Sequence, residues 1–133
     1  MGAITVKTTK KREIIDITDR INDVLSKGAL TIGVCHLFLR HSTAGLTTVY
    51  MDPEAEFDVL DALDTAVVHV IPREKYAHSH FKTRLPNHVI ASFLGSSLSI
   101  PFEDKKLLLG DLQSVALVEL NGPRNREILI YSE

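Results

Sequence analysis

Six histidines in 133 residues is a high count, and four of them stand where elements break rather than inside them. His41 closes an apolar run and opens the stretch His41-Ser-Thr-Ala-Gly-Leu-Thr47. His78 and His80 lie in an irregular stretch between prolines, and His88 opens a short helical pattern. Loops carried on a rigid scaffold are where binding residues concentrate, and neutral imidazole is the commonest protein ligand for a borderline ion such as zinc. The spacing matches neither a zinc finger nor a His-Glu-x-x-His helix, so packed histidines are the competing reading. His36 and His69 go with that competing reading. His36 is inside an apolar strand, five positions before His41, which puts the two side chains on opposite faces. His69 sits among valines near a helix end.

Two acids stand beside the histidines as candidates. Glu119 interrupts the apolar run Val115-Ala-Leu-Val-Glu-Leu120. An unpaired charge there is costly, so Glu119 either has a partner or a wet pocket, or it is a strand residue on the solvent face. Asp52 reads fully as a helix cap, with Pro53 at the first helical position and Glu54 and Glu56 in the first turn. Tyr76 adds a third acid–base type to the irregular 72–86 stretch, and a long loop in a compact domain is more often functional than decorative.

The elements that must position these groups are legible in outline. Residues 3–9 and 12–17 alternate as two strands around the turn Lys10-Lys-Arg12. Thr18 or Asp19 caps a helix carrying Ile21, Val24 and Leu25, and Gly28 stops it. Residues 30–39 predict a strand buried on both faces, followed by a compact polar segment at 41–47. Phe57, Leu60, Leu63 and Val67 mark the inner face of a second helix, and a third runs from Asn87 to Leu94 with Gly95 as its stop. Strands near 97–102, 106–109, 113–120 and 126–131 complete the chain, with Gly122-Pro123 as a turn. This order has no βαβ repetition and no linker. It predicts a single α+β domain over 1–133, a mostly antiparallel sheet with a few helices packed on it.

Composition excludes several classes of function. A formal net charge of −2 argues against nucleic-acid binding, which needs a concentrated basic surface, and the 10–12 cluster reads as a solvated turn. No apolar stretch approaches the roughly 20 residues of a membrane span. Cys35, the one cysteine, sits in Ile32-Gly-Val-Cys35 and reads as a small core residue. It allows no intrachain disulfide and agrees with a reducing compartment. Residues 3–8 alternate where a signal peptide would carry an apolar block, so the expected location is cytoplasmic.

The same positions carry a resemblance. His41-Ser-Thr-Ala-Gly-Leu-Thr47 resembles His-Thr-Thr-Ala-(Gly/Ala/Ser)-Leu-Thr. Asp52-Pro53, with Asp58 six positions after Asp52, resembles Asp-Pro-x-Val-x-x-Asp, and Tyr76-Ala-His78 resembles Tyr-x-His. The stretch from Pro86 to Pro101 resembles a block in which His precedes Ser-x-Leu-Gly-x-Ser-Leu-x-(Ile/Leu)-Pro. Leu109-Gly-Asp-Leu-Gln113 resembles Leu-Gly-Thr-Trp-Gln, and Glu119-Leu-Asn-Gly-Pro-Arg124 resembles Glu-Phe-Asp-Gly-Pro-Arg. Six blocks in register across nearly the whole chain are similar to the YjbQ-like family, also called secondary thiamine-phosphate synthases.

The resemblance implies an α+β trimer with a pocket near subunit boundaries. It implies that His41, His78 and His88 hold a divalent metal, zinc first; His80 matches no family position and stands apart as a candidate extra ligand. Asp52 and Glu119 fall on the family's acidic, catalytic positions; Ser97, Gln113 and Arg124 fall on positions suited to binding a small phosphorylated substrate. The implied reaction joins a pyrimidine diphosphate to a thiazole phosphate. Three departures bear on that chemistry: Thr48-Val-Tyr-Met51 stands where the family has Asn-Glu-Asn, Leu112 replaces its tryptophan, and Ser79-His-Phe-Lys-Thr-Arg-Leu85 replaces an acidic, glycine-rich loop. A metal-dependent hydrolase and a non-enzymatic trimeric metal- or ligand-binding protein are the alternatives.

Overall fold

The structure, a computed structural model, describes residues 1–52, 54, 56, 58–63 and 86–133. Strands β1 (Gly2–Lys7) and β2 (Glu13–Asp16) precede helix α1 (Thr18–Lys27), then β3 (Ile32–Leu39) and β4 (Ala44–Tyr50). Residues 58–63 are helical. Helix α2 (Asn87–Leu94) leads into β5 (Ser97–Glu103), β6 (Lys106–Leu107), β7 (Gln113–Glu119) and β8 (Asn125–Ser132). The strands form a five-stranded sheet in the order β1-β8-β3-β5-β6 and a three-stranded sheet in the order β2-β7-β4. Every pairing among them is antiparallel, as the α+β reading requires.

The alternating patterns explain how the layers stack. Ile4 and Val6 of β1, Cys35, Leu37 and Leu39 of β3, and Ile128 and Ile130 of β8 point to one core with Leu46, Val115 and Leu117 from the smaller sheet. Helix α1 closes one side of that core with Ile21 and Leu25. The other face of the three-stranded sheet carries Ile14, Ala116 and Val118, and it packs against Ile90 and Ala91 of α2 and against Leu60 and Leu63. The three-stranded sheet is therefore covered on both faces. Enclosing one such large apolar side chain contributes about 1.5–3 kcal/mol, so the apolar run of β7 is the centre of the molecule.

Three expectations are corrected. Strand β3 is buried on one face only: Cys35, Leu37 and Leu39 are enclosed while Ile32 and Phe38 stand in solvent. The doubly covered strand is β7, because helices lie over its sheet and nothing described lies over the outer face of the larger one. The polar-looking stretch after His41 is half strand, since Ala44 and Leu46 point inward and β4 pairs along β7 from Ala44–Glu119 to Tyr50–Gln113. Helix α1 also begins differently from the capped start expected. The Thr18 hydroxyl accepts the Val115 amide at 2.9 Å instead of capping, and Asp16 Oδ1 accepts the Thr18 amide at 2.9 Å. Among the described residues no helix is long and apolar enough to cross a membrane.

Candidate functional site

The connection from β3 to β4 brings His41 against α2, and glycine permits the approach. A side chain at Gly45 would place its Cβ 2.7 Å from Leu94 Cβ, so only a residue without one lets the helix lie on β4. Gly95 ends α2 at φ +91°, a left-handed backbone that favours glycine, and its carbonyl accepts the Leu46 amide at 3.0 Å. Between these two elements lies a cavity of about 260 Å³, lined by His41 and His88 with the serines Ser42, Ser92 and Ser96. Two of the three histidines expected to act together therefore share one cavity. The third, His78, lies outside the described residues with His80 and Tyr76.

Behind His41 sits a buried ion pair. Glu119 is 0% exposed and Arg126 is 1% exposed. Arg126 Nε donates to both Glu119 oxygens, at 2.9 and 3.1 Å, and Nη2 donates to Oε2. The Thr8 hydroxyl donates to Oε1 at 2.7 Å, and the amides of Leu120 and Asn121 donate to Oε2 at 3.0 and 3.2 Å. Of the two alternatives open for Glu119, the structure takes the partnered one. Burial pushes its carboxyl up, but the bonds from Arg126, Thr8 and Asn121 outweigh burial and hold it below the usual carboxylate range. Arg126 Nη2 also reaches the Thr43 carbonyl at 3.0 Å and its hydroxyl at 2.9 Å. The next residue on β8 holds the histidine itself: the Glu127 amide donates to His41 Nε2 at 2.9 Å. Arg40 Nη1 bonds the Glu127 carboxylate at 3.0 Å.

His41 is shifted below the ordinary imidazole range. Burial is the main cause, and the nearby Arg126 and Arg124 charges add to it against the pull of Glu119 and Glu127. The ring is therefore neutral at pH 7. Neutrality suits a metal ligand, but the Glu127 amide already occupies the Nε2 lone pair, so the donor set fits an ion only in part. Among the described residues no group of three His, Cys, Asp or Glu side chains gathers around one point.

The remaining expected site residues are dispersed. Arg124 is exposed beside the ion pair, its amide donating to the Thr8 hydroxyl at 2.9 Å. Gln113 faces Tyr50 at the far end of the β4–β7 ladder, six positions from Glu119, which is about 20 Å along a strand. Asp52 lies at that same far end and caps the turn that follows, accepting the Glu54 amide at 2.9 Å. Within one chain, then, Asp52 and Gln113 stand apart from the histidine cavity. Ser97 is displaced too. The pleat of β5 turns it, with Ser99, onto the outer face of the larger sheet, into a separate hollow lined by His36, Phe38 and Tyr131; Ser96 takes its place at the histidines.

His36 is satisfied there, its Nδ1 against the Ser99 hydroxyl at 2.8 Å and its Nε2 against Glu133 at 2.9 Å. The turn at 10–12 is less solvated than its charge suggests: Arg12 is half-buried and donates to Asn87 Oδ1 at 3.1 Å, tying the turn to the start of α2 beside His88. Sequence reasoning passed over Arg126, Thr8, Thr43 and Ser96. Arg126 had a signal, because in β8 it alternates in phase with Ile128 and Ile130, which marks it as an inward-facing cation in need of an acid.

Comparisons with known proteins agree with this architecture. A family model described as UPF0047 protein YjbQ-like matches residues 2–132. The UPF0047 protein YugU of Bacillus subtilis is 32% identical over 98% of this chain and 96% of its own. A UPF0047 protein of Archaeoglobus fulgidus is 32% identical over 96% of each. The crystal structure of a YjbQ/UPF0047-family protein from Clostridium acetobutylicum superposes with a TM-score of 0.82 at 30% identity, covering 100% of both chains. A protein of unknown function from Sulfolobus solfataricus superposes with a TM-score of 0.83 at 30% identity, covering 98% of this chain and 94% of that one. With the match running from Gly2 to Ser132, the chain belongs to the YjbQ-like UPF0047 family.

Proposed function

We propose that this chain is a small-molecule enzyme whose reaction site is the cavity between the β3–β4 connection and α2. The reaction would be of the secondary thiamine-phosphate synthase kind, joining a pyrimidine diphosphate to a thiazole phosphate. The observation that carries the reading is the convergence of His41 and His88 on one serine-lined cavity, backed by a buried ion pair. Active sites are where a fold concentrates titratable groups with shifted pKa values around a concave surface.

In this reading Arg124, exposed at the rim, binds a phosphate of the substrate. Glu119 serves as an anchor, because every direction around its carboxylate is already bonded. A divalent ion, zinc first, belongs to the proposal; His88 with His78 would hold it, and such an ion supplies Lewis-acid polarisation of a diphosphate when bound. In one chain Asp52 and Gln113 stand at the far end of the β4–β7 ladder, where Gln113 is about 20 Å along the strand from Glu119. For them to act at the cavity, a second copy must supply them, which supports the expected homotrimer.

The test is direct. The purified chain is incubated with a pyrimidine diphosphate, a thiazole phosphate and zinc, and the products are read by mass spectrometry. Light scattering on the same sample reads the mass against 14.8 kDa per chain. Joined product from a trimer, lost in His88→Ala, is the expected result. Release of phosphate or diphosphate without joining would move the assignment to a hydrolase. Binding with no turnover would move it to a binding protein.

A further inference from the structure

We infer that His41 serves its cavity as a fixed hydrogen-bond donor through Nδ1–H and is not a ligand of a metal ion. The inference deepens the reading above and depends on it only for where the site lies.

A neutral imidazole carries one N–H and one lone pair. The Glu127 amide donates to Nε2 at 2.9 Å, and an N–H can donate only to a lone pair. Nε2 is therefore the bare nitrogen and the proton sits on Nδ1. A metal-ligating histidine has the opposite surroundings: its second nitrogen donates its N–H to a carboxylate, a carbonyl or a water, which frees the first lone pair for the ion. At His41 the neighbouring group is itself a donor. Coordination through Nε2 would break the bond to Glu127, and coordination through Nδ1 would require a proton to leave a ring already neutral.

Turning the ring over would set a carbon edge against the amide, and the surrounding bonds oppose any shift of the segment. On one side of His41 the Arg40 amide donates to the Glu127 carbonyl at 3.4 Å and its guanidinium bonds the Glu127 carboxylate at 3.0 Å. On the other side Thr43 is held through its carbonyl and its hydroxyl by Arg126. The flanks of the histidine are thus fastened to two adjacent residues of β8, one to Glu127 and the other to Arg126. Arg126 acts as a positioning residue, and Glu119 holds Arg126 in place.

The ring geometry then directs Nδ1–H away from β8. Among the described residues Nδ1 has no protein acceptor, and His41 lines the cavity with Ser42, Ser92 and Ser96, the Ser92 hydroxyl itself donating to the Val89 carbonyl at 2.6 Å. A neutral donor in a fixed orientation matches an oxygen on which negative charge grows as a bond breaks, and no reorganisation is needed at that moment. The ligand class is one that presents an anionic or carbonyl-type oxygen at this point.

Long-range proton–nitrogen NMR of the full chain, labelled with ¹⁵N-histidine, reads the tautomer. The expected result is a protonated Nδ1 and a bare Nε2 at His41, with both nitrogens unmoved when zinc is added. His41→Asn, whose amide nitrogen stands near the Nδ1 position, should keep the zinc stoichiometry of the native chain, whereas His88→Ala should lose it. A protonated Nε2, or a zinc-induced shift at either nitrogen of His41, would overturn the inference, as would loss of zinc in His41→Asn. A native chain that takes up no zinc would sink the metal part of the proposed function, and the ring pattern would then decide this inference alone.

Discussion

At one end of the β4–β7 ladder Glu119 lies opposite Ala44 and is wholly enclosed; at the other Gln113 lies opposite Tyr50, and both stand in solvent. The two strands, and the antiparallel bonds between them, are the same at both ends. What differs is the cover. Above Glu119 the guanidinium of Arg126 descends from β8 and Thr8 arrives from the end of β1, so the charge is met inside the protein. Near Gln113 the side chain turns back to accept the Gly110 amide at 3.1 Å, a bond confined to its own loop. A polar residue at the enclosed end is structural by necessity, and one at the open end is available for a partner or a ligand.

The sharpest way to break this contrast is to remove the cation at the enclosed end. Arg126→Met should lower the unfolding free energy by about 3–5 kcal/mol, because Glu119 is left charged and unpaired in the interior. Urea denaturation reads the loss. Pairing that change with Glu119→Leu should destabilise less than Arg126→Met alone, since two apolar side chains leave no charge behind. A loss below about 1 kcal/mol for Arg126→Met would mean that water reaches Glu119 and the two ends are alike.

The pH dependence is a second, smaller probe of the same end. Glu119 is held below its ordinary value of 4.5 in the folded chain. The unfolded chain therefore takes up its proton at higher pH than the folded one does. The stabilisation is fully present above the ordinary carboxylate range and is lost as pH falls through the depressed folded value. Denaturation midpoints measured from neutral to about pH 3 should fall for the native chain and fall less steeply for the Glu119→Leu, Arg126→Met double variant. Equal slopes would remove Glu119 from the acid-sensitive groups.

The smallest effect belongs to the open end. Gln113→Ala exchanges an exposed side chain bonded only within its loop, and it should change stability by no more than about 0.5 kcal/mol. A larger loss in the isolated chain would show that Gln113 supports the ladder, and its place among the substrate-binding residues would weaken.

Much of the scaffold could be read in advance, and the failures share one cause. Helices α1 and α2 and strands β1, β2, β5, β7 and β8 follow from periodicity and from glycine stops, which act within a few residues. Strand β4 was hidden because Gly45, Thr47 and Thr48 within it, and Ser42 and Thr43 just before it, give the stretch the composition of a loop. It is a strand because β7 offers a ladder along its whole length. The face count of β3 was wrong for a related reason: Val34 and Phe38 are apolar, yet nothing described packs over them, and apolar character alone does not reveal whether a cover exists. Arg12 read as part of a solvated turn because its partner, Asn87, comes from α2.

The sequence by itself determined the antiparallel α+β class and the family blocks, and it named His41 and His88 among its candidate site residues. Each follows from local pattern or from residues that recur in order. Only the tertiary structure decided that Glu119 belongs to Arg126, that Ser96 rather than Ser97 stands at the histidines, and that His41 is held at Nε2 by a backbone amide. These facts rest on contacts between strands far apart in the chain. Their energies come from burial and from hydrogen-bond geometry, quantities that exist only once the two sheets have closed on one another.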